Sequence, residues 1–237
     1  NNYSGVLTGD QFRALVDSLG TGGQKNRLDS NNTNWQAEIY RAAIMNETSI
    51  SFTGGISWLP YRLSVSARFE DGVLQRDRLN RYTASLNLNP SFFDGHLAFN
   101  VQQKFTHSYN FFANRGAIGS AVIFDPTKPV FSGDSAFGGY FEWIQNNGKP
   151  NNLAPRNPVG LLNQRDDFSQ VYRWIGNVET SYKLHFFPQL RAVVNVGGDF
   201  SNGSGETSTT ASSASGFNTR GSWNEYTSTK WNRLADF

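Results

Sequence analysis

Two periodicities divide the chain. Between Thr8 and Leu19 the apolar residues Phe12, Leu15, Val16 and Leu19 recur at helical spacing and Gly20 supplies a stop, which predicts one short helix. A polar stretch from Thr21 to Asn34 follows and closes on Trp35-Gln36-Ala37-Glu38-Ile39-Tyr40-Arg41. From Thr48 onward the period is two. Tyr61, Leu63, Val65, Ala67 and Phe69 alternate with Arg62, Ser64, Ser66, Arg68 and Glu70, the pattern of a strand with one apolar and one polar face. The same alternation is carried by Thr48, Ile50 and Phe52, and by Tyr82, Ala84, Leu86 and Leu88. It returns in Leu97, Phe99, Val101 and Phe105, where Gln103 interrupts the apolar side, then in Trp174, Val178, Tyr182 and Leu184, and in Leu190, Ala192, Val194, Val196 and Phe200. The predicted fold class is all-β and antiparallel.

Two architectures hide the apolar faces of such strands: a sandwich, in which two sheets cover each other, and a barrel whose outer wall meets lipid. Three features favour the barrel. The strands run to about ten residues, the length that crosses a bilayer at a tilt. Connections alternate between short ones (Gly54–Pro60, Asp94-Gly95, Phe187-Pro188-Gln189) and long ones (109–172 and 201–229), as they do at the two rims of an outer-membrane barrel. Aromatic residues gather at the short-turn ends, at Trp58, Tyr61, Phe92, Phe93, Phe186 and Phe187, where an interfacial girdle would lie.

Composition narrows the functional classes. Of 237 residues only 17% are charged against 38% hydrophobic, so uncharged polar residues fill the polar faces, whereas soluble domains carry roughly 25% charge. A net charge of +2 implies no nucleic-acid partner. No apolar run approaches the roughly 18 residues of a membrane-spanning helix. The absence of cysteine removes disulfides, thiolate metal sites and a cysteine nucleophile. His96, His107 and His185 stand apart in sequence, and no nucleophile elbow, zinc-protease helix or phosphate loop occurs, so neither catalysis nor a metal site nor a cofactor is expected.

Several ordered segments carry a family resemblance. Val6-Leu7-Thr8-Gly9-Asp10-Gln11-Phe12-Arg13-Ala14-Leu15-Val16 and Thr33 to Arg41 resemble the start of the barrel in SusC-like TonB-dependent outer-membrane transporters. So do Ser51-Phe52-Thr53-Gly54-Gly55, Arg81 to Asn89, Phe124-Asp125-Pro126-Thr127-Lys128-Pro129-Val130 and Asn157-Pro158-Val159-Gly160-Leu161-Leu162. The resemblance implies a partial antiparallel transmembrane β-barrel, part of a plugged barrel of 22 strands. It implies nutrient uptake of oligosaccharides or peptides across the outer membrane of a Gram-negative bacterium, driven by the TonB complex, with a SusD-like surface lipoprotein as lid and lipid or lipopolysaccharide around the wall. The plug would precede Asn1, and Lys230 to Phe237 reads as the opening of a further strand, so the chain is expected to be a portion of a longer polypeptide. Two other readings stay open: a barrel of this type recruited into a larger outer-membrane assembly, and a small independent barrel or sandwich with a structural or binding role.

On this reading residues 1–47 form an extracellular loop segment with a short helix, and 48–237 hold the membrane strands with long loops at 109–172 and 201–229. The first long loop is rich in aromatic side chains, and Phe111, Phe112, Tyr140, Phe141 and Trp143 are the candidates for substrate or lid contact, with packing of the loop on itself as the alternative. Arg62, Arg68, Arg81, Asn87, Asn100, Lys104, Asn177, Glu179, Arg191 and Asp199 occupy the polar face, as candidates to line the lumen or hold a plug.

Overall fold

Alternation becomes a continuous hydrogen-bonded ladder in the computed structural model, which describes residues 6–133, 135–187 and 189–237. Asn1–Gly5, Asp134 and Pro188 lie outside the described residues, so the short turn through Pro188 is described only at its flanks. The strands are β1 (Met45–Ile56), β2 (Leu59–Asp71), β3 (Arg78–Leu88), β4 (Ser91–Phe92), β5 (Leu97–Phe111), β6 (Arg165–Lys183), β7 (Arg191–Thr209) and β8 (Ser222–Asp236). They form an open sheet in the order β1-β2-β3-β5-β6-β7-β8, each antiparallel to its neighbour, with the short β4 pairing only with β5.

Register sorts the side chains onto two faces, because directly paired residues of an antiparallel ladder point the same way. One transverse row reads Ile50, Val65, Ala84, Phe105, Trp174, Phe200 and Trp231. The next reads Ser51, Ser64, Ser85, Lys104, Ile175, Asp199 and Asn232. The apolar face has no second layer on it. Phe52, Val65, Phe105 and Trp231 are 58%, 41%, 53% and 56% exposed, which a sandwich does not permit. The open antiparallel sheet has the form of part of a β-barrel, and its apolar face is bare.

The height of the apolar belt agrees. From Tyr61 to Phe69 it extends roughly 26 Å along β2, or about 20 Å vertically at the usual tilt, close to the 25 Å band of outer-membrane barrels. Rings border it on both edges. Trp58 and Phe92 (5.4 Å) and Phe92 and Phe99 (6.2 Å) lie toward the short turns. Phe69 and Tyr82 (5.8 Å) and His107 and Tyr172 (3.9 Å) lie toward the long loops, a second set of rings that sequence did not reveal, while Phe200 and Trp231 (5.0 Å) meet in the mid-belt row of Val65.

The expected loop boundaries need correction. β7 continues past Phe200 to Thr209 and β8 begins at Ser222, so the connection is 210–221 rather than 201–229. Likewise β5 and β6 extend to Phe111 and back to Arg165, leaving 112–164 as the connection rather than 109–172. The outward residues of upper β7 are Asn202, Ser204, Glu206 and Ser208. Above the belt both faces of the ladder meet water, so backbone pairing continues while the hydrophobic alternation that would betray it stops.

The long-loop rim carries a helical cap. Thr8 caps α1 (Gly9–Leu19), accepting the Gln11 N–H while Gln11 reaches back to the Thr8 N–H. A single turn, α2 (Gly22–Lys25), and α3 (Trp35–Ile39) follow, and the 112–164 connection contributes α4 (Gly116–Ile123) and α5 (Pro158–Asn163). Trp35 and Ile39 of α3, Ala117 and Ala121 of α4, Phe124, and Val159 and Leu162 of α5 form a buried core. The segment before β1 therefore packs with the long loop as one body. Arg41 ties it to the sheet by donating to the Gly72 and Asp77 carbonyls and to Asp71.

Candidate functional site

The cap is organised around Asn157. Its side-chain carbonyl accepts the Val159 and Gly160 N–H groups, both at 3.0 Å, the N-cap of an α5 that opens on Pro158. The same side chain donates to the Val130 and Phe141 carbonyls, at 2.9 and 3.1 Å, so a fully buried amide stitches three stretches of the loop together. Its backbone N–H donates to Glu142 at 2.9 Å. Glu142 is buried, its second oxygen lacks a hydrogen-bond partner, and the nearest cation, Arg156, is 4.0 Å away. Burial pushes this carboxyl up to about 7, against the smaller opposing pull of the Asn157 N–H and Arg156.

Lys128 is the other buried charge. Its ammonium donates to the Arg27 carbonyl at 2.5 Å, lies 3.1 Å from Asp29, and sits over the rings of Phe141 and Trp143 at 5.4 and 5.0 Å.

The five aromatic candidates do not form one surface. Tyr140, Phe141 and Trp143 pack against the cap core, with Phe141 edge-on to Phe124 at 6.3 Å and to Trp143 at 5.5 Å. Trp143 also borders a cavity of about 570 Å³ that α1 and α4 close with Phe12, Val122 and Ile123. Phe111 and Phe112 stand elsewhere, half exposed in a cleft of about 730 Å³ with Phe168 and Glu206. Register puts Phe111, Phe168 and Glu206 on the same face as the lipid-side row, so this cleft opens outward above the belt. Among its charges, Arg76 pairs with Asp166 and Arg165 with Asp167.

The polar candidates share the opposite face. Arg62, Asn87 and Asn177 fall in one row, Arg68 and Arg81 in another, Lys104 and Asp199 in a third, and Asn100 and Glu179 in a fourth, while Arg191 pairs with Lys183. Arg68 bridges Glu47 (3.6 Å) and Glu70 (2.6 Å). Asp199 receives a two-pronged contact at 2.8 and 2.6 Å from Arg173, a residue that sequence reading left out. The omission is explicable, since Ile175 and Val171 on the same face break the polar pattern beside it. Asn157 lies in a segment that carried the family resemblance, but its capping of α5 was not read from the sequence. Glu142 carried no local signal at all.

No family model matches the chain. It is 36% identical over 213 residues to the TonB-dependent receptor SusC of Bacteroides thetaiotaomicron, an alignment covering 84% of this chain and 21% of that protein. The chain is SusC-like. It spans about a fifth of the length of the curated relative it matches. In fold it is similar to the structure of the RagAB peptide transporter, with a TM-score of 0.63 at 14% identity over 87% of this chain and 27% of that one. A second structure, the RagAB peptide importer in its open-open state, gives a TM-score of 0.60 at 15% identity over 89% of this chain and 24% of that one. The described residues thus share the fold of part of these two structures.

Proposed function

We propose that this chain is part of the wall and outer mouth of a TonB-dependent transporter in the outer membrane of a Gram-negative bacterium. The whole protein imports oligosaccharides or peptides and performs no catalysis. The observation that carries this reading is the single-layer sheet with one bare apolar face, one charged and amide-rich face and a cap on one rim, joined to sequence identity with SusC. On this reading the long-loop rim faces outward, residues 1–47 belong to the outside, and the polar face lines the lumen, where Arg62, Arg68, Arg81, Asn87, Lys104, Asn177, Glu179 and Asp199 meet water and a plug contributed by other parts of the polypeptide. Energy reaches the plug from the TonB complex.

A SusD-like lipoprotein covers the mouth. Phe111, outward beside Phe112 in their cleft, suits contact with that partner or with lipopolysaccharide, whereas Trp143, beside the cap cavity, suits contact with substrate. Deleting the gene in its host and offering oligosaccharides or peptides as sole carbon source tests the reading. Growth on one such nutrient should be lost, and restored by the full gene only in cells with an active TonB complex. Undiminished growth on every nutrient the parent uses, or restoration without TonB, would contradict it.

A further inference from the structure

The apolar face of the sheet is not smooth. Across β2, β3, β5 and β6 it holds a depression of about 700 Å³, where the small side chains of Ala67 and Ala84 lie among the rings of Tyr82, Phe105, His107 and Trp174. The column β3-β5-β6 is flanked by further strands on both sides, so this stretch of wall has no sheet edge.

Toward the long loops the same face changes chemistry in two steps. Above the row of Tyr82, His107 and Tyr172 comes the row of Asn80, Tyr109 and Gln170, which offers two amides and a phenol. Above that lie Arg78, Phe111, Phe168 and Glu206, the outward cleft. Asp71 takes only the Nε of Arg78, at 3.1 Å, and the terminal nitrogens of this half-exposed guanidinium have no hydrogen-bond partner among the described residues. Six residues of β5 separate Phe105 from Phe111, roughly 20 Å along the strand and about 15 Å along the membrane normal at the usual tilt. Half of the usual apolar band is about 12 Å, which sets Arg78 and Glu206 just beyond the hydrocarbon.

We propose that the outer face of β3, β5 and β6 binds one molecule of lipopolysaccharide, with an acyl chain in the Ala67–Ala84 depression, sugar hydroxyls on Asn80, Gln170 and Glu206, and a phosphate on Arg78. The assignment rests on the outer-membrane reading and names the partner of the outward cleft. Unbroken continuity of the cleft with the apolar belt points to a membrane lipid rather than to a lid protein. The free fork of a guanidinium matches a phosphate, and a carboxylate and amides take hydroxyls. The rings of Phe111 and Phe168, 6.3 Å apart, offer apolar faces to a sugar ring between those polar groups. A phospholipid brings a phosphate to Arg78 but no sugar to the amide row and Glu206.

Native mass spectrometry of the detergent-purified full-length protein, titrated with purified rough lipopolysaccharide, tests it beside the same glycolipid stripped of its phosphates and beside phosphatidylethanolamine. Each comparison lipid removes one class of contact, so wild type should bind one rough lipopolysaccharide about tenfold more tightly than either. Arg78→Gln should abolish the preference for the phosphorylated glycolipid, Ala84→Phe should weaken binding by filling the depression, and Lys25→Gln on α2 should bind as wild type does. The comparison of lipids on wild type stands even where a variant fails to fold. Equal binding of the three lipids by wild type, an undiminished phosphate preference in Arg78→Gln, or undiminished binding in Ala84→Phe would each overturn the proposal. TonB-dependent growth is read separately in cells, so failure of this site and failure of the transport reading are distinguishable.

Discussion

Gln103 Oε1 accepts the Trp174 indole N–H at 2.7 Å on the predominantly apolar face, in a row that ends on Arg233, whose guanidinium lies over the Trp231 ring. The bond is possible because Gly176, paired directly with Gln103, leaves room for the indole. A Cβ there would stand 2.3 Å from the Trp174 ring and 2.6 Å from Gln103 Oε1. What looks in sequence like a break in the alternation is a polar atom satisfied by its neighbour, the condition hydrocarbon imposes on any polar group it surrounds.

Gln103→Leu should therefore destabilise the barrel although it makes the wall more apolar, because it strands the indole N–H without a partner. The expected cost is about 1–2 kcal/mol, and adding Trp174→Phe should recover part of it. Urea unfolding from lipid vesicles measures both. A Gln103→Leu protein as stable as wild type would show that the bond contributes nothing.

Depth along the wall should set the tolerance to charge. Val65 lies midway between the Tyr61 and Phe69 ends of the belt on β2, and Val65→Arg should cost about 2–4 kcal/mol. Ser204 is on the same face but above the belt, so Ser204→Arg should fall within about 0.5 kcal/mol of wild type. The same vesicle assay compares them. Equal costs at the two positions would contradict the placement of the belt.

The cap should loosen as pH rises. Folded Glu142 holds its proton up to about 7, whereas its ordinary value is 4.5, so between those values the folded cap binds more protons than the unfolded one and loses stability as pH increases. The loss saturates above about pH 7 at roughly 3 kcal/mol. Hydrogen exchange of the 112–164 segment, corrected for intrinsic rates, should show protection falling from pH 5 to pH 8 in wild type. Glu142→Gln should be flat over that range, and a wild-type cap with pH-independent protection would refute the assignment.

Legibility in sequence followed the solvent. Inside a bilayer one face must be apolar, so Tyr61 to Phe69 and Ala192 to Phe200 announced their strands and faces, and register puts the polar candidates together on the opposite face. Above the belt that constraint vanishes, and upper β7, with Asn202, Ser204 and Glu206 pointing outward, read as loop. The α1 helix was visible because it is amphipathic and capped by Thr8. Helix α4 was not, because Ala117 and Ala121 face the core while Ile118, Val122 and Ile123 are exposed, which leaves no apolar stripe to detect. The aromatic candidates were found as a composition of one loop, but only long-range pairing decides that Phe111 points outward and Phe141 packs on Phe124. Likewise the stacking of His96 on His185 depends on strand pairing that no local pattern records.

The most direct measurement concerns the two faces themselves. Within this chain there is no cysteine, so Phe105→Cys and Lys104→Cys each introduce one thiol on adjacent residues of β5, on opposite faces of the sheet. With a fluorophore on each, in full-length protein reconstituted into vesicles, a lipid-attached quencher should extinguish the label at 105. The label at 104 should respond to a water-soluble quencher instead. Quenching of both labels only from water would mean that the apolar face does not meet lipid, and the barrel-wall account would fall.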